Sequence, residues 1–381
     1  MKAIIGGKII LKDRIAENCA LLFSDKIEGV VPAYSIPADT EIIDAKGGYV
    51  APGLIDLHIH GYLGKDVCDG EEESIRTISK GILANGVTGY LPTTMTEDMS
   101  VIRKALEVCR SLKEESKNWN GSAILGCHAE GPFISESKKG AQDAKYILKP
   151  DAAFVKEYAD IIKTITLAPE EDTQDFSAIR EICRDTDVIV SMGHTSADYE
   201  TAMAGVNAGV KHATHLFNAM TPLTPRGPGV VGAALASDNV SAEVIADTFH
   251  INPGLYSIVA KVKGDKMVLI TDCTRAGGMP DGEYDLGGQP IFLKGIECRL
   301  ADGTIAGSVL KLNNAVKNVL DHTSLPVNEV FKMASLNPAT SIHCADRIGS
   351  LETGKDADII IADENINIVR TIKKGRTIYE A

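Results

Sequence analysis

Between residues 53 and 273, eight short β-rich runs alternate with helical stretches, and that alternation leaves few folds open. The runs are LIDLHIH (54–60), GYLPTT (89–94), AILGCHAEG (123–131), IKTITLAPE (162–170), VIVSMGHT (188–195), VKHATHLFN (210–218), AEVIADTFH (242–250) and MVLITDC (267–273). Between most of them lie segments of helical periodicity such as EEESIRTISKGILANG, VIRKALEVCRSLKEE, FSAIREICRD and PGLYSIVAKVKG. Gly86, Gly209 and Gly264 stand where such helices should stop. Strands joined through helices run parallel, and eight of them close into a (β/α)8 barrel. The sixth connection, TPLTPRGPGVVGAALASD, reads as loop-rich, and Gly-rich residues 277–308 read as an inserted hairpin.

Both ends of the chain are β-rich and lack helical periodicity. KAIIGGKII, CALLFSDKIEGVV and EIIDAKGGYVAPG at the start match DADIIIAD, NINIVRTI and RTIY at the end, with Lys374-Gly375 as a hairpin turn. Neither set can bury a core alone, so the two should pair. The fold class expected is α/β: a TIM-like (β/α)8 barrel over residues 53–347, with a small discontinuous β-sandwich domain formed by residues 1–52 and 348–381.

The residues that close the strands carry the chemistry. They are His58 and His60, His128 and Glu130, Glu170, His194, His215, His250 and Asp272. In a barrel these C-terminal strand ends converge on one face, where barrel enzymes keep their active sites. His58 and His60 are two apart on one strand and so project together, with Asp56 behind them. His128 and Glu130 share a face while Cys127 points away, towards a helix, and Cys273 stands in the same relation to Asp272. His212 and His215 are three apart, so a regular strand would turn only one of them inward. Asp272 ends the apolar run MVLITD, where an unpartnered carboxylate is costly and a metal or catalytic role explains it best. His128 reads instead as a core histidine and Glu170 as a structural carboxylate. Imidazole and carboxylate donors without thiolate suit a divalent ion, zinc or iron above all.

Composition narrows the partners. The chain carries 39 Lys and Arg against 52 Asp and Glu, a net charge of −13, which argues against nonspecific nucleic-acid or membrane binding. No run approaches the ~20 apolar residues of a membrane span, and the start MKAIIGGKIILKDR reads as no signal peptide. Eight scattered cysteines without a C-x-x-C pair fit free thiols in a reducing cytoplasm. An anionic ligand would then need a local basic spot.

The motifs His58-Ile59-His60, His128-Ala129-Glu130-Gly131-Pro132-Phe133, Gly193-His194-Thr195, Thr214-His215-Leu216-Phe217-Asn218-Ala219-Met220 and Thr271-Asp272 resemble the amidohydrolase superfamily, and within it the branch that deacetylates amino sugar phosphates. The resemblance spans essentially the whole chain, and H-x-E-G-P-F with T-H-L-F-N-A-M is specific to that branch. It implies Glu130, His194 and His215 as ligands of the main metal, and His58 and His60 as a second position shared with Glu130. It implies Asp272 as the catalytic acid/base. Substrate contacts would come from Ala141, Gln142, Asn218, Ala219, Arg226, His250 and the Ile305-Ala306-Gly307 loop. Arg226 and His250 would reach into the partner's site of a homodimer. The implied activity is hydrolysis of N-acetylglucosamine 6-phosphate to acetate and the amine, with one or two divalent ions per subunit.

The alternatives are the galactosamine epimer, a metallophosphoesterase and a metal-stabilised binding barrel. Gln142 stands where some relatives place a histidine, so its part in oxyanion stabilisation is open. Unlike hydantoinase-like relatives, the chain has no lysine at the end of the fourth strand (Leu167-Ala168-Pro169-Glu170), so the resemblance implies Glu130 as the candidate bridge between two ions.

Overall fold

A computed structural model describes all 381 residues. Eight strands form the barrel: β1 (Leu54–Ile59), β2 (Val87–Thr94), β3 (Cys127–Glu130), β4 (Ile162–Leu167), β5 (Ile189–Met192), β6 (His212–Ala213), β7 (Ser241–Ile245) and β8 (Met267–Ile270). Each pairs in parallel with the next. The ring closes where Ile59 bridges Cys273 and the Asp272 N–H donates to the His58 carbonyl at 2.8 Å. All eight strands coincide with the runs expected from the sequence. Outward residues such as Leu57, Ile165, Val190 and Leu269 are buried against the surrounding helices, while the inward positions are largely polar.

Two connections differ from expectation. The sixth contains a helix, Gly229–Ala236, whose residues 229–234 are all buried. A helix that is apolar all round has no polar face, so its sequence shows no period to detect. Residues 277–308 hold not a hairpin but a three-stranded antiparallel meander of Gly282–Leu286, Gln289–Lys294 and Glu297–Leu300, which packs Ile291, Leu293 and Cys298 towards the barrel mouth.

The chain ends pair as their composition suggested. Ile359–Ala362 runs antiparallel to Tyr49–Pro52 at the centre of a six-stranded sheet, which faces a four-stranded sheet built from residues 2–44. Alternation along these strands serves two cores. Val50, Ile359 and Ile361 pack between the sheets, while Ala51, Ile360 and Ala362 pack on the barrel. Lys374 (φ 45°) and Gly375 (φ 70°) make the hairpin turn in which both central residues are left-handed.

Candidate metal centre and active site

Alternation places Asp56 and His58 inside the barrel, and His60 follows just past the end of β1. Asp56 anchors the strand: its Oδ2 accepts from the Thr271 hydroxyl at 2.7 Å and its Oδ1 from the Thr271 N–H at 3.2 Å. Burial pushes its carboxyl up to about 6 against these hydrogen bonds.

Three strand-end residues leave the β region entirely. His194 (φ 47°), His215 (φ 31°) and Asp272 (φ 52°) are left-handed, a conformation that costs of order 1–3 kcal/mol and persists where surroundings over-determine it. This twist resolves the parity question for β6. His212 faces Glu243 inside the barrel, and the turn at His215 brings a second imidazole to the same interior. Gly193 permits the close approach, since a Cβ there would lie 2.6 Å from Cβ of Thr214.

The side chains converge on two adjoining clusters. In the first, Nε2 of His215 and of His194 lie 3.0 and 3.2 Å from Glu130 Oε1 and 3.1 Å from each other. In the second, Nε2 of His58 and His60 are 3.2 Å apart, and His60 Nε2 lies 3.3 Å from Glu130 Oε2 and 3.2 Å from Asp272 Oδ1. Glu130 thus faces both clusters: Oε2 meets His60, while Oε1 meets His194 and His215 and also lies 3.4 Å from His58 Nε2.

These spacings fit an ion better than they fit protons. Facing Nε2 atoms can share at most one proton, yet two such pairs are buried here. Donors around a tetrahedral ion with bonds of 2.0–2.1 Å would be about 3.3 Å apart, close to the separations observed. The far side of three rings is already committed. His194 Nδ1 donates to the Lys138 carbonyl at 2.8 Å and His215 Nδ1 to the Asn218 carbonyl at 3.2 Å, while His58 Nδ1 meets Glu243 Oε2 at 3.2 Å. Each leaves an Nε2 lone pair aimed at the centre.

Charge within the cluster is strongly mutual. Burial alone would lower His60, yet Asp272 and Glu130 carry it up to about 9. Burial would raise Glu130, but His58 and His194 hold it well below the usual carboxylate range. Asp272 likewise resists burial and stays below its ordinary value because of His58 and His60, so it is ionised at neutral pH. His128, lowered to about 3 by burial and then by His58, is neutral, with Nε2 on the Thr166 hydroxyl at 2.7 Å. Glu170 accepts from the Thr195 and Ser196 hydroxyls and the Ser196 N–H, holding the loop after His194.

A cavity of about 350 Å³ opens above the clusters. His60, Glu130, His194, His215 and Asp272 form its floor, and Ala141, Gln142, Asn218, Ala219, His250, Ile305 and Gly307 lie on its walls. Two expected contacts are placed differently. His250 lines the cavity of its own chain, held there by Asp247 Oδ2 on its Nδ1 at 2.6 Å, whereas the sequence suggested a reach across an interface. Ala306 is fully buried in the packing beneath the meander and is not on the wall. The Gln142 amide is engaged: Nε2 lies 3.0 Å from Glu130 Oε2, and Oε1 accepts from the Thr96 N–H at 2.8 Å. Its position therefore orients Glu130. Arg226 is exposed on the loop between Pro225 and Pro228, outside this cavity. Glu243, in the middle of the apolar run of β7, escaped the sequence reading, although a buried carboxylate in such a run is the same signal that singled out Asp272.

A parallel barrel with buried histidine and carboxylate clusters at its C-terminal mouth defines a metal-dependent hydrolase class. The comparisons narrow it: the amidohydrolase family model matches residues 49–378, and the chain belongs to that family. An N-acetylglucosamine-6-phosphate deacetylase of Bacillus subtilis is 38% identical over 349 residues, covering 90% of this chain and 88% of that protein. The crystal structure of the Pasteurella multocida N-acetylglucosamine-6-phosphate deacetylase superposes with a TM-score of 0.94 at 31% identity, covering 100% of both chains. A point mutant of the Mycobacterium smegmatis enzyme, solved in complex with N-acetyl-D-glucosamine-6-phosphate, superposes with a TM-score of 0.91 at 25% identity, covering 99% of both chains.

Proposed function

We propose that this protein hydrolyses the N-acetyl amide of N-acetylglucosamine 6-phosphate, releasing acetate and glucosamine 6-phosphate in amino sugar catabolism. The observation that carries the reading is the joining of two ligand clusters through Glu130 beside Asp272, at the floor of a cavity of substrate size. The names of the relatives supply the sugar.

In this reading Glu130, His194 and His215 would hold the main divalent ion, and His58 and His60 with Glu130 would hold a second. Zinc or iron fits the donor set. When bound, the ion supplies a Lewis acid that acidifies water and polarises the amide carbonyl. Asp272 takes the proton of the attacking water as the tetrahedral intermediate forms. It then delivers that proton to the amine nitrogen as the C–N bond breaks. Gln142 keeps Glu130 in place, and the walls at Ala141, Asn218, Ala219, His250, Ile305 and Gly307 orient the sugar and its phosphate. Every one of these residues lies in 53–347, so residues 1–52 with 348–381 act as support.

Arg226 is the candidate phosphate clamp of a homodimer. Flanking prolines stiffen its exposed loop, which suits a preorganised guanidinium offered to a neighbouring subunit. The cytoplasm is the expected compartment, where all eight cysteines, free in the structure, would stay reduced.

The test is direct. The metal-loaded protein is incubated with N-acetylglucosamine 6-phosphate and its galactosamine epimer, and acetate and inorganic phosphate are both measured. Acetate without phosphate is expected, with the glucosamine epimer preferred. Phosphate without acetate would replace the reading with a phosphoesterase, and preference for the other epimer would correct the substrate.

A further inference from the structure

Beneath the metal centre lies a buried carboxylate for which the mechanism above has no use. Glu243 sits on β7, 1% exposed, in the barrel interior. Its Oε2 meets His58 Nδ1 at 3.2 Å and the His215 N–H at 3.4 Å, and its Oε1 lies 3.8 Å from His212 Nδ1. No lysine or arginine pairs with it, so histidines are its only ionisable partners.

We infer that Glu243 is a positioning residue that decides whether the His58–His60 position can hold an ion. An imidazole binds metal through a nitrogen that carries no proton, and the opposite nitrogen must then carry one. Accepting that proton from Nδ1, Glu243 fixes His58 in the tautomer whose Nε2 faces His60 and Glu130. Packing alone would not select it: the neighbouring His128 ring stacks edge-on at 4.5 Å and satisfies neither His58 nitrogen. The two other ligand rings with an anchored Nδ1, His194 and His215, use main-chain carbonyls. His58 alone relies on a side chain, so its ligand state is the one that a single substitution can switch.

The inference rests on the metal-dependent reading, and its test separates the two. Chelator-treated protein is titrated with zinc alone, and binding is followed calorimetrically. Wild type is expected to show two binding events per chain. Glu243→Gln keeps the shape but can donate to Nδ1, favouring the wrong tautomer. It should weaken the second event by roughly 10- to 100-fold, the usual cost of losing such a partner, and leave the first within about 3-fold. In a His58→Ala background the same change should add less than about 3-fold, because Glu243 would have nothing left to orient.

A second event unchanged in Glu243→Gln overturns the inference. So do equal losses in both events, which signify a merely structural role, and an undiminished effect in the His58→Ala background. A wild type with a single event overturns it while leaving the deacetylase reading intact. A wild type that takes up no zinc refutes the metal-dependent reading itself.

Discussion

Asp272→Asn is the sharpest test of the chemistry, because the structure separates its effect on the proton from its effect on the fold. Asn has the same shape and is among the few residues that tolerate a left-handed backbone, so the φ of 52° at this position adds little strain. What is lost is basicity. In the metal-free protein His58 and His60 hold Asp272 below its ordinary value, and its Oδ1 lies 3.2 Å from His60 Nε2. An amide oxygen can still accept a hydrogen bond there, but it cannot carry a proton from water to the amine. Removing one general acid/base group costs about 10²–10⁴ in kcat, or roughly 3–5 kcal/mol of barrier at 1.36 kcal/mol per factor of ten. KM should stay within a few-fold, since the walls of the cavity are untouched. The assay is acetate release at saturating substrate, with elemental analysis to show that the main ion remains and a melting curve to show that the protein is folded. The acid limb of the kcat/KM profile should also disappear. A variant that keeps its ion and turns over within tenfold of wild type would refute the assignment of Asp272.

Three other outcomes follow from the same geometry. His194→Ala or His215→Ala should abolish the main ion and nearly all activity, because a three-ligand site cannot spare one; the double change His58→Ala with His60→Ala should reduce the metal to about one per chain with milder kinetic damage, and equal inactivation would make the second ion essential. In the metal-free protein His60 holds a proton until pH passes about 9, so ion uptake there must displace it and affinity should climb as pH rises from 6 to 9; calorimetry in buffers of different ionisation enthalpy reads the proton release, and pH-independent affinity would contradict this charge assignment. Arg226→Met should raise KM for the phosphorylated sugar by roughly 10- to 100-fold, the worth of charged hydrogen bonds; mixing this chain with Asp272→Asn should restore activity through one intact hybrid site, and verified subunit exchange without recovery would remove Arg226 from the partner's site.

How much of this was legible in the chain depends on which physical pattern carried it. The eight strands were readable because inward polar residues alternate with outward apolar ones, as Asp56, His58 and Leu57 show in β1. The helix Gly229–Ala236 was not, because burial on all sides erases the 3.6-residue signal. The ligand set was legible as a series of strand-closing histidines and carboxylates. Contacts that depend on loop course were less so: only the folded turn held by Asp247 shows that His250 faces its own cavity, and only the packing under the meander removes Ala306 from the wall.

The failure of strand parity at His215 is the more instructive case. Alternation assumes a continuing β backbone, and on that assumption one of His212 and His215 had to point outward. The structure ends β6 at Ala213 and turns His215 to φ 31°, as it turns His194 and Asp272 at the ends of β5 and β8. The same departure at three strand ends is what lets side chains from separate strands reach one centre, since regular strands would leave them spread around the rim. Sequence periodicity reports where regular structure is, and it falls silent at the strand ends, where the chemistry begins. The residue types remain informative at those positions because few other roles justify a buried histidine or aspartate in a strained backbone. A site of this kind is therefore found by asking which residues within or at the end of a strand are too costly to bury without a partner. By that criterion Glu243 belonged beside Asp272 from the start.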